Sequence, residues 1–214
     1  MYLVHEGAAA ASAAAGTDGV IEVLAAEGDD VTIAILNRDG SHAEMSGNGT
    51  RIAAAWLMSR TGSQVARVHV GERTVDVRQA GGGLYESRLG PVEVFPSEVV
   101  AGVELTPVSV GNPHVVVIGD PDRIAELGPL LETHERFPER TNVQIARIDA
   151  PGEVMARVWE RGVGETSASG TSAVAIAAAT HANGEVVVHF PGGDLRVRIE
   201  GGSAWLTGPA EPLD

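Results

Sequence analysis

The chain contains neither cysteine nor lysine; all 15 of its basic residues are arginine. Without thiols there are no disulfides, no thiolate metal sites and no cysteine nucleophile. Without lysine no Schiff base forms, which excludes pyridoxal-phosphate enzymes and lysine-dependent aldolases, and a P-loop is excluded likewise. Aromatic residues make up only 4% of the chain against 43% hydrophobic, so the core must be built from Ala, Val, Ile and Leu. No apolar run approaches the ~18 residues that cross a bilayer, so no membrane association is expected. The opening MYLVHEGAAAASAAAG lacks the basic start of a signal peptide. A cytoplasmic, soluble protein is expected. The net charge of −14, with no cluster of arginines, argues against nucleic acid as a partner. Its simplest role is a solvated acidic surface.

What is present is mostly period-two alternation. Val31–Leu36, Ala66–Val70, Arg73–Arg78, Val115–Ile118, Asn142–Ile148, Val154–Glu160, Glu185–Phe190, Asp194–Glu200 and Ala204–Thr207 read as strands. Gly-rich joints such as Gly81-Gly82-Gly83 and Gly201-Gly202 separate several of them. Two Ala-rich segments, Asn48–Arg60 and Thr171–Ala182, read as helices that end near Gly62 and Gly184. A third helix starts at Asp120-Pro121 and runs to about Glu132. The order predicts an α+β protein of two similar halves, residues 1–106 and 107–214. In each half a mainly antiparallel, curled sheet wraps a central helix, with the boundary near Leu105–Val108 and the last segment returning to the first half.

Each Ala-rich helix opens on a Ser/Gly turn: Ser46-Gly47-Asn48-Gly49 and Ser169-Gly170-Thr171-Ser172. Free N–H groups and the positive end of the helix dipole make such a turn a place for a carboxylate. Taken singly, each serine is most simply a helix cap. Two such turns in matched halves point further, to a ligand carboxylate. Other chemistries fit poorly. Gly162-Val163-Gly164 follows a strand, but the third glycine is misplaced and no acidic strand end follows at the distance a dinucleotide loop needs. The seven histidines are scattered without metal-ligand spacing, so no metal is expected.

The segment from Asn37 to Arg51, NRDGSHAEMSGNGTR, resembles the first signature of diaminopimelate epimerases, in which a Cys precedes Gly-Asn-Gly-x-Arg. VWERGVGETSASGTSA, from Val158 to Ala173, resembles the second, which normally reads Ala-Cys-Gly-Thr-Gly. The stretches Val110–His114 and Leu127–Val143, then PGGDL from Pro191 and LTGPA from Leu206, are similar to further family blocks in the same order. The likeness runs from about Gly16 to Ala210. It implies a site in the cleft between two similar halves, an amino-acid substrate in lysine biosynthesis, a homodimer, and proton transfer by two opposed thiols with no cofactor and no metal. Position by position, Ser46 and Ser169 take the two acid/base places. Asn37, Asn112 and Asn142 would meet the distal end of the substrate, and Glu160 and Arg161 its amino and carboxylate groups. Gly47-Asn48 and Gly170-Thr171 would supply backbone donors to the α-carboxylate, and His114 and Glu160 would help polarise the reacting centre.

Two departures stand out. Both thiol places hold serine; an alcohol is on the order of five pKa units weaker as an acid, a deficit of roughly 7 kcal/mol. Such a hydroxyl needs a neighbouring base: His42 or Glu44 for Ser46, His114 or Glu160 for Ser169. The opening also has no counterpart of the family's Gly-Leu-Gly-Asn-Asp-Phe block, and the chain stops where a closing strand usually follows. These departures leave three readings: an epimerase slowed by its serines, a paralogue using a carboxylate or His base on another amino acid, or an amino-acid-binding protein without turnover.

Overall fold

A computed structural model describes residues 2–6, 19–37, 42–43, 46–181 and 184–210. It divides into two compact units: residues up to Arg88 together with those from Thr207, and Leu89–Leu206.

In the first unit, β1 (Tyr2–Glu6) lies parallel to β2 (Gly19–Glu27), which pairs antiparallel with β3 (Asp30–Asn37). Next come β4 (His42–Ala43), α1 (Gly47–Thr61), β5 (Val65–Val70), β6 (Arg73–Gly81) and β7 (Leu84–Pro91). Strands β3 and β5 are parallel because α1 carries the chain across between them, whereas β5–β6 and β6–β7 are hairpins. Alternation sets the faces. Val31, Ile33 and Ile35 of β3 and Ala66, Val68 and Val70 of β5 are buried with Ile52–Ala55, Leu57 and Met58 of α1. A helix buried nearly all round needs small residues so that the strands can approach, which is the use of its alanines. It stops at Gly62, whose φ of 76° suits glycine and whose N–H reaches Met58 O.

The second unit begins with β8 (Glu93–Val94), β9 (Glu98–Val100) and β10 (Val103–Ser109). It then repeats the first arrangement. β11 (Pro113–Ile118) is parallel to β12 (Asn142–Ala150), which is antiparallel to β13 (Glu153–Glu160), and β14 (Gly164–Thr166) leads into α3 (Gly170–Thr180). β15 (Gly184–Phe190) is parallel to β13 and antiparallel to β16 (Gly193–Glu200); β17 (Ser203–Pro209) follows, and from Thr207 its residues group with the first unit. Gln144↔Val158 in the β12–β13 pair stands where Ile21↔Ile35 stands in β2–β3. Even a polar clasp recurs: His69 bonds Asp30 (2.7 Å) and Thr74 (3.1 Å), and His189 bonds Glu153 (2.6 Å) and Asp194 (2.8 Å).

The second unit adds α2 (Ile124–Glu132), entered through a 3₁₀ turn over Pro121–Arg123 that Asp120 caps through Asp122 N at 3.1 Å. Ile124, Leu127 and Leu131 pack on Val115, Val117, Val143 and Ile145. Ala146 and Val116 face α3 instead. Strand β12 is thus covered on both faces, and residues 142–146 are all buried.

The division between units falls at Arg88/Leu89, ahead of the expected Leu105–Val108. The reason is packing: Leu105 belongs to the cluster under α2 and Val108 to the core around α3. Strands β2, β7 and β10 were not expected from sequence. β10 is interrupted by Pro107, which nevertheless keeps its carbonyl in use by accepting from Phe95 N at 3.0 Å.

Candidate functional site

Ser46 sits in extended conformation before α1, and its Oγ accepts from Gly49 N at 3.0 Å. The turn is tight: a Cβ on Gly49 would stand 3.2 Å from Ile35 Cδ1 and 3.3 Å from Ser46 Cβ. Beside it lies Arg51, only 3% exposed, whose Nη2 donates to Asn48 Oδ1 at 3.4 Å. Its Nε and Nη1 have no hydrogen-bond partner among the described residues. Burial lowers its pKa to about 10, so it stays charged and strengthens the positive end of α1.

Ser169 has the same extended backbone before α3, but its side chain makes no capping bond. The third residue of α3, Ser172, is fully buried and accepts from Gln144 Nε2 at 3.0 Å. The same Nε2 lies 3.0 Å from His114 Nδ1, and His114 Nε2 lies 2.9 Å from Asn112 Oδ1. A buried polar chain therefore runs from the first turn of α3 to the loop before β11. Burial outweighs the Gln144 hydrogen bond that would raise it and, with the positive charge of Arg161 adding to the effect, pushes His114 down to about 3, so it is neutral at ordinary pH.

Asn142 braces the neighbouring turn: its Nδ2 donates to Pro113 O at 2.9 Å and its Oδ1 accepts from Arg161 N at 3.0 Å. Glu160 Oε1 accepts from Thr166 Oγ1 at 2.6 Å. Glu132 supports this turn from α2. It accepts from Trp159 Nε1 (2.7 Å) and from Gly162 N (2.8 Å), with Arg140 3.6 Å away. Burial alone would raise its pKa, but those partners outweigh it and hold the carboxyl below its usual range.

Of the residues singled out from sequence, the structure gathers Asn112, His114, Asn142 and Arg161 in one cluster of the second unit. Glu160 adjoins it, and Ser169, Gly170 and Thr171 lie at the start of α3. Ser46, Gly47 and Asn48 form the start of α1 in the first unit. Asn37 ends β3, and its side chain, like Glu44, lies outside the described residues. His42 is exposed on β4. Among the described residues no hydrogen bond joins His114 or Glu160 to Ser169; both ring nitrogens of His114 are already committed. A cavity of about 750 Å³ opens beside Asn112 and His114, lined also by Phe95, Pro107, Arg136 and Phe137. Among the described residues no acidic or histidine cluster has metal-binding geometry, and no helix is long and apolar enough to cross a membrane.

The profile described as "Diaminopimelate epimerase" matches residues 6–94 and 106–212. The chain belongs to the diaminopimelate epimerase family. It is 38% identical to the diaminopimelate epimerase of Pelotomaculum thermopropionicum, over 92% of this chain and 82% of that protein. With the diaminopimelate epimerase of Methanothermobacter thermautotrophicus it shares 34% identity over 86% of this chain and 75% of that one. Its fold matches that of a protein described as a predicted epimerase from Pseudomonas aeruginosa, with a TM-score of 0.74, 19% identity, and coverage of 100% of this chain and 91% of that one. It also matches a hydroxyproline epimerase from Agrobacterium vitis with bound trans-4-hydroxy-L-proline, with a TM-score of 0.65, 16% identity, and coverage of 91% and 72%.

Within this member of the diaminopimelate epimerase family, four residues that carry no role in the sequence acquire one in the structure: Arg51, Glu132, Gln144 and Ser172. Gln144 had one signal available, a carboxamide in the otherwise apolar start of β12. Arg51 had been quoted as part of a motif but given no role.

Proposed function

We propose that this chain is an isomerase that inverts the α-carbon of diaminopimelate between its LL and meso forms by cofactor-free proton transfer. It works in the cytoplasm as a homodimer and supplies lysine and peptidoglycan precursors. The observation that carries the reading is the duplicated Ser/Gly helix start, Ser46-Gly47-Asn48 on α1 and Ser169-Gly170-Thr171 on α3. Each offers backbone N–H donors to a carboxylate that takes on enolate character as the α-proton leaves. The buried charge of Arg51 supports an anion at the first. Ser46 and Ser169 hold the acid/base places: one takes the α-proton while the other delivers a proton to the opposite face. With hydroxyls there, turnover is slow, because an alcohol gives up its proton on the order of five pKa units less readily than a thiol.

The test follows deuterium from solvent into the α-position of LL-diaminopimelate, together with chiral analysis of the product. Slow exchange by the unmodified chain is expected, and a gain of roughly 100-fold or more in the Ser46→Cys, Ser169→Cys double variant. A folded double variant with no gain, or exchange with other amino acids but not with diaminopimelate, overturns the assignment.

A further inference from the structure

We propose that Arg51 is a positioning residue that makes position 46 the more acidic of the two acid/base places, so that the group at 46 takes the α-proton and the group at 169 delivers one. This rests on the functional reading above and gives the two helix starts unequal parts in the reaction.

Arg51 is the fifth residue of α1. Long helical side chains lean toward the N-terminus of their own helix, so the guanidinium lies back over the turn that Ser46 opens. The bond from its Nη2 to Asn48 Oδ1 at 3.4 Å holds it there. The residue is 3% exposed, and its Nε and Nη1 find no acceptor among the described residues. Strands β2, β3, β5 and β6 pack on α1 and turn apolar side chains toward it, among them Ile21, Ile33, Val68 and Val75. Glu22, Asp30, Arg67, His69 and Asp76 lie on the opposite faces of those strands, and Arg73 stands exposed at the start of β6. Burial lowers the pKa of Arg51 only to about 10, so the charge persists. A buried cation without a counter-charge is unfavourable to the fold, and any anion that forms at the tip of α1 gains from it. The atom at position 46, once its proton has gone, is such an anion.

The equivalent place in α3 is Val174, fully buried among apolar residues. Toward α3, β11 and β12 present His114, which is neutral, and the uncharged Gln144. Glu185 and His189 of β15 and Asp194, Arg196 and Arg198 of β16 lie on the faces turned away. Glu104, on the face of β10 that carries Val108, is negative and opposes a second anion. Arg161 is exposed, where solvent screens it, and Glu160 beside it has the opposite sign. Position 169 thus has a helix dipole and backbone donors as position 46 has, but no buried cation. In the reaction the α-C–H bond breaks with its electron pair left on the ligand. Its proton passes to the group at 46, and the group at 169 gives its own to the opposite face.

The experiment exploits a chain without cysteine. Ser46→Cys and Ser169→Cys each introduce one thiol, with no background from any other. The rate of alkylation by iodoacetamide against pH, without ligand, gives the pKa of each. The thiol at 46 should titrate at least about one pH unit below the thiol at 169. Arg51→Met in the Ser46→Cys chain should raise the thiol at 46 to the level of the other. That variant keeps the side chain's length and removes an unpaired buried charge, so it should fold; Arg51→Gln, also neutral, takes its place if it does not. Should neither fold, the two single-thiol chains decide by direct comparison. A role confined to packing would leave the thiol at 46 unmoved. Equal titration of the two thiols, or an unmoved thiol at 46 once Arg51 is neutralised, overturns this assignment and leaves the functional reading standing. Absence of deuterium exchange in the Ser46→Cys, Ser169→Cys double variant overturns the functional reading, and with it the acid/base meaning of any difference in titration.

Discussion

Ser46 and Ser169 begin equivalent helices on equivalent backbones, yet they are built differently. Ser46 is tied down by its own helix through Gly49 N, and behind it stand apolar residues, Ile21 and Ile35. Ser169 makes no such bond; in the second unit Gln144 replaces Ile21 and Ser172 replaces Gly49, and the hydrogen bonds run onward to His114 and Asn112. One helix start is self-contained, with a buried arginine beside it. The other is wired through Gln144 and His114 to Asn112 and the cavity that Asn112 lines. A duplicated fold has thus kept its backbone while changing what stands behind each helix start.

The strongest way to break this contrast is acid. His114 has its folded pKa lowered from 6.5 to about 3. The unfolded chain therefore takes up a proton that the folded one refuses. Its contribution to stability is complete above pH 6.5 and is lost as pH falls toward 3, on the order of 3 kcal/mol between pH 7 and pH 4. Urea titrations at the two pH values measure it. His114→Gln should flatten that part of the dependence, and an unchanged slope would mean that the polar chain does not survive in solution.

A second, smaller effect probes α2, which has no counterpart among the described residues of the first unit. A Cβ on Gly128 would stand 2.8 Å from Trp159 Cβ, Cγ and Cδ2. Gly128→Ala should cost about 2 kcal/mol in thermal or urea unfolding, because Trp159 Cβ is fixed to its strand and the ring can yield only by leaving Glu132. A third sharpens the serine comparison itself. Ser46→Ala removes a cap and should cost about 1 kcal/mol, whereas Ser169→Ala should stay within about 0.5 kcal/mol. Equal costs would erase the distinction. The smallest effect lies in the clasp of the second unit. Hydrogen bonds from Asp194 and Glu153 raise the pKa of His189 above 6.5. Its support is complete below pH 6.5 and fades as pH rises through the raised value, the opposite sign to His114. Ring-proton NMR titration would show it.

Much of this was legible in sequence. The strands with strict alternation, such as Val31–Leu36 and Val154–Glu160, and both helix starts were readable because Ser/Gly before an Ala-rich run has a local cause. Asn112 and Arg161 came from motif resemblance, and the structure brings them near each other. Gln144 and Ser172 were not legible as a pair, since their meeting depends on β12 lying under α3, which no local pattern encodes. Asn142 was read as a ligand contact, and its brace between Pro113 and Arg161 depends on a register that only pairing sets. The early end of the first unit was hidden for a similar reason: Leu105 and Val108 carry no mark of which helix they will cover.

Trp159 carries a consequence for anyone reshaping ligand choice. Its ring fits the notch at Gly128, its N–H ends on Glu132, and the other oxygen of that carboxylate holds Gly162, three residues along. Glu160 and Arg161 are therefore suspended between an indole and a peptide N–H that answer to one carboxylate. Libraries confined to the residues that touch a ligand would leave this suspension untuned. Diversifying Gly128, Glu132 and Trp159 instead shifts the height and tilt of the turn without altering Glu160 or Arg161.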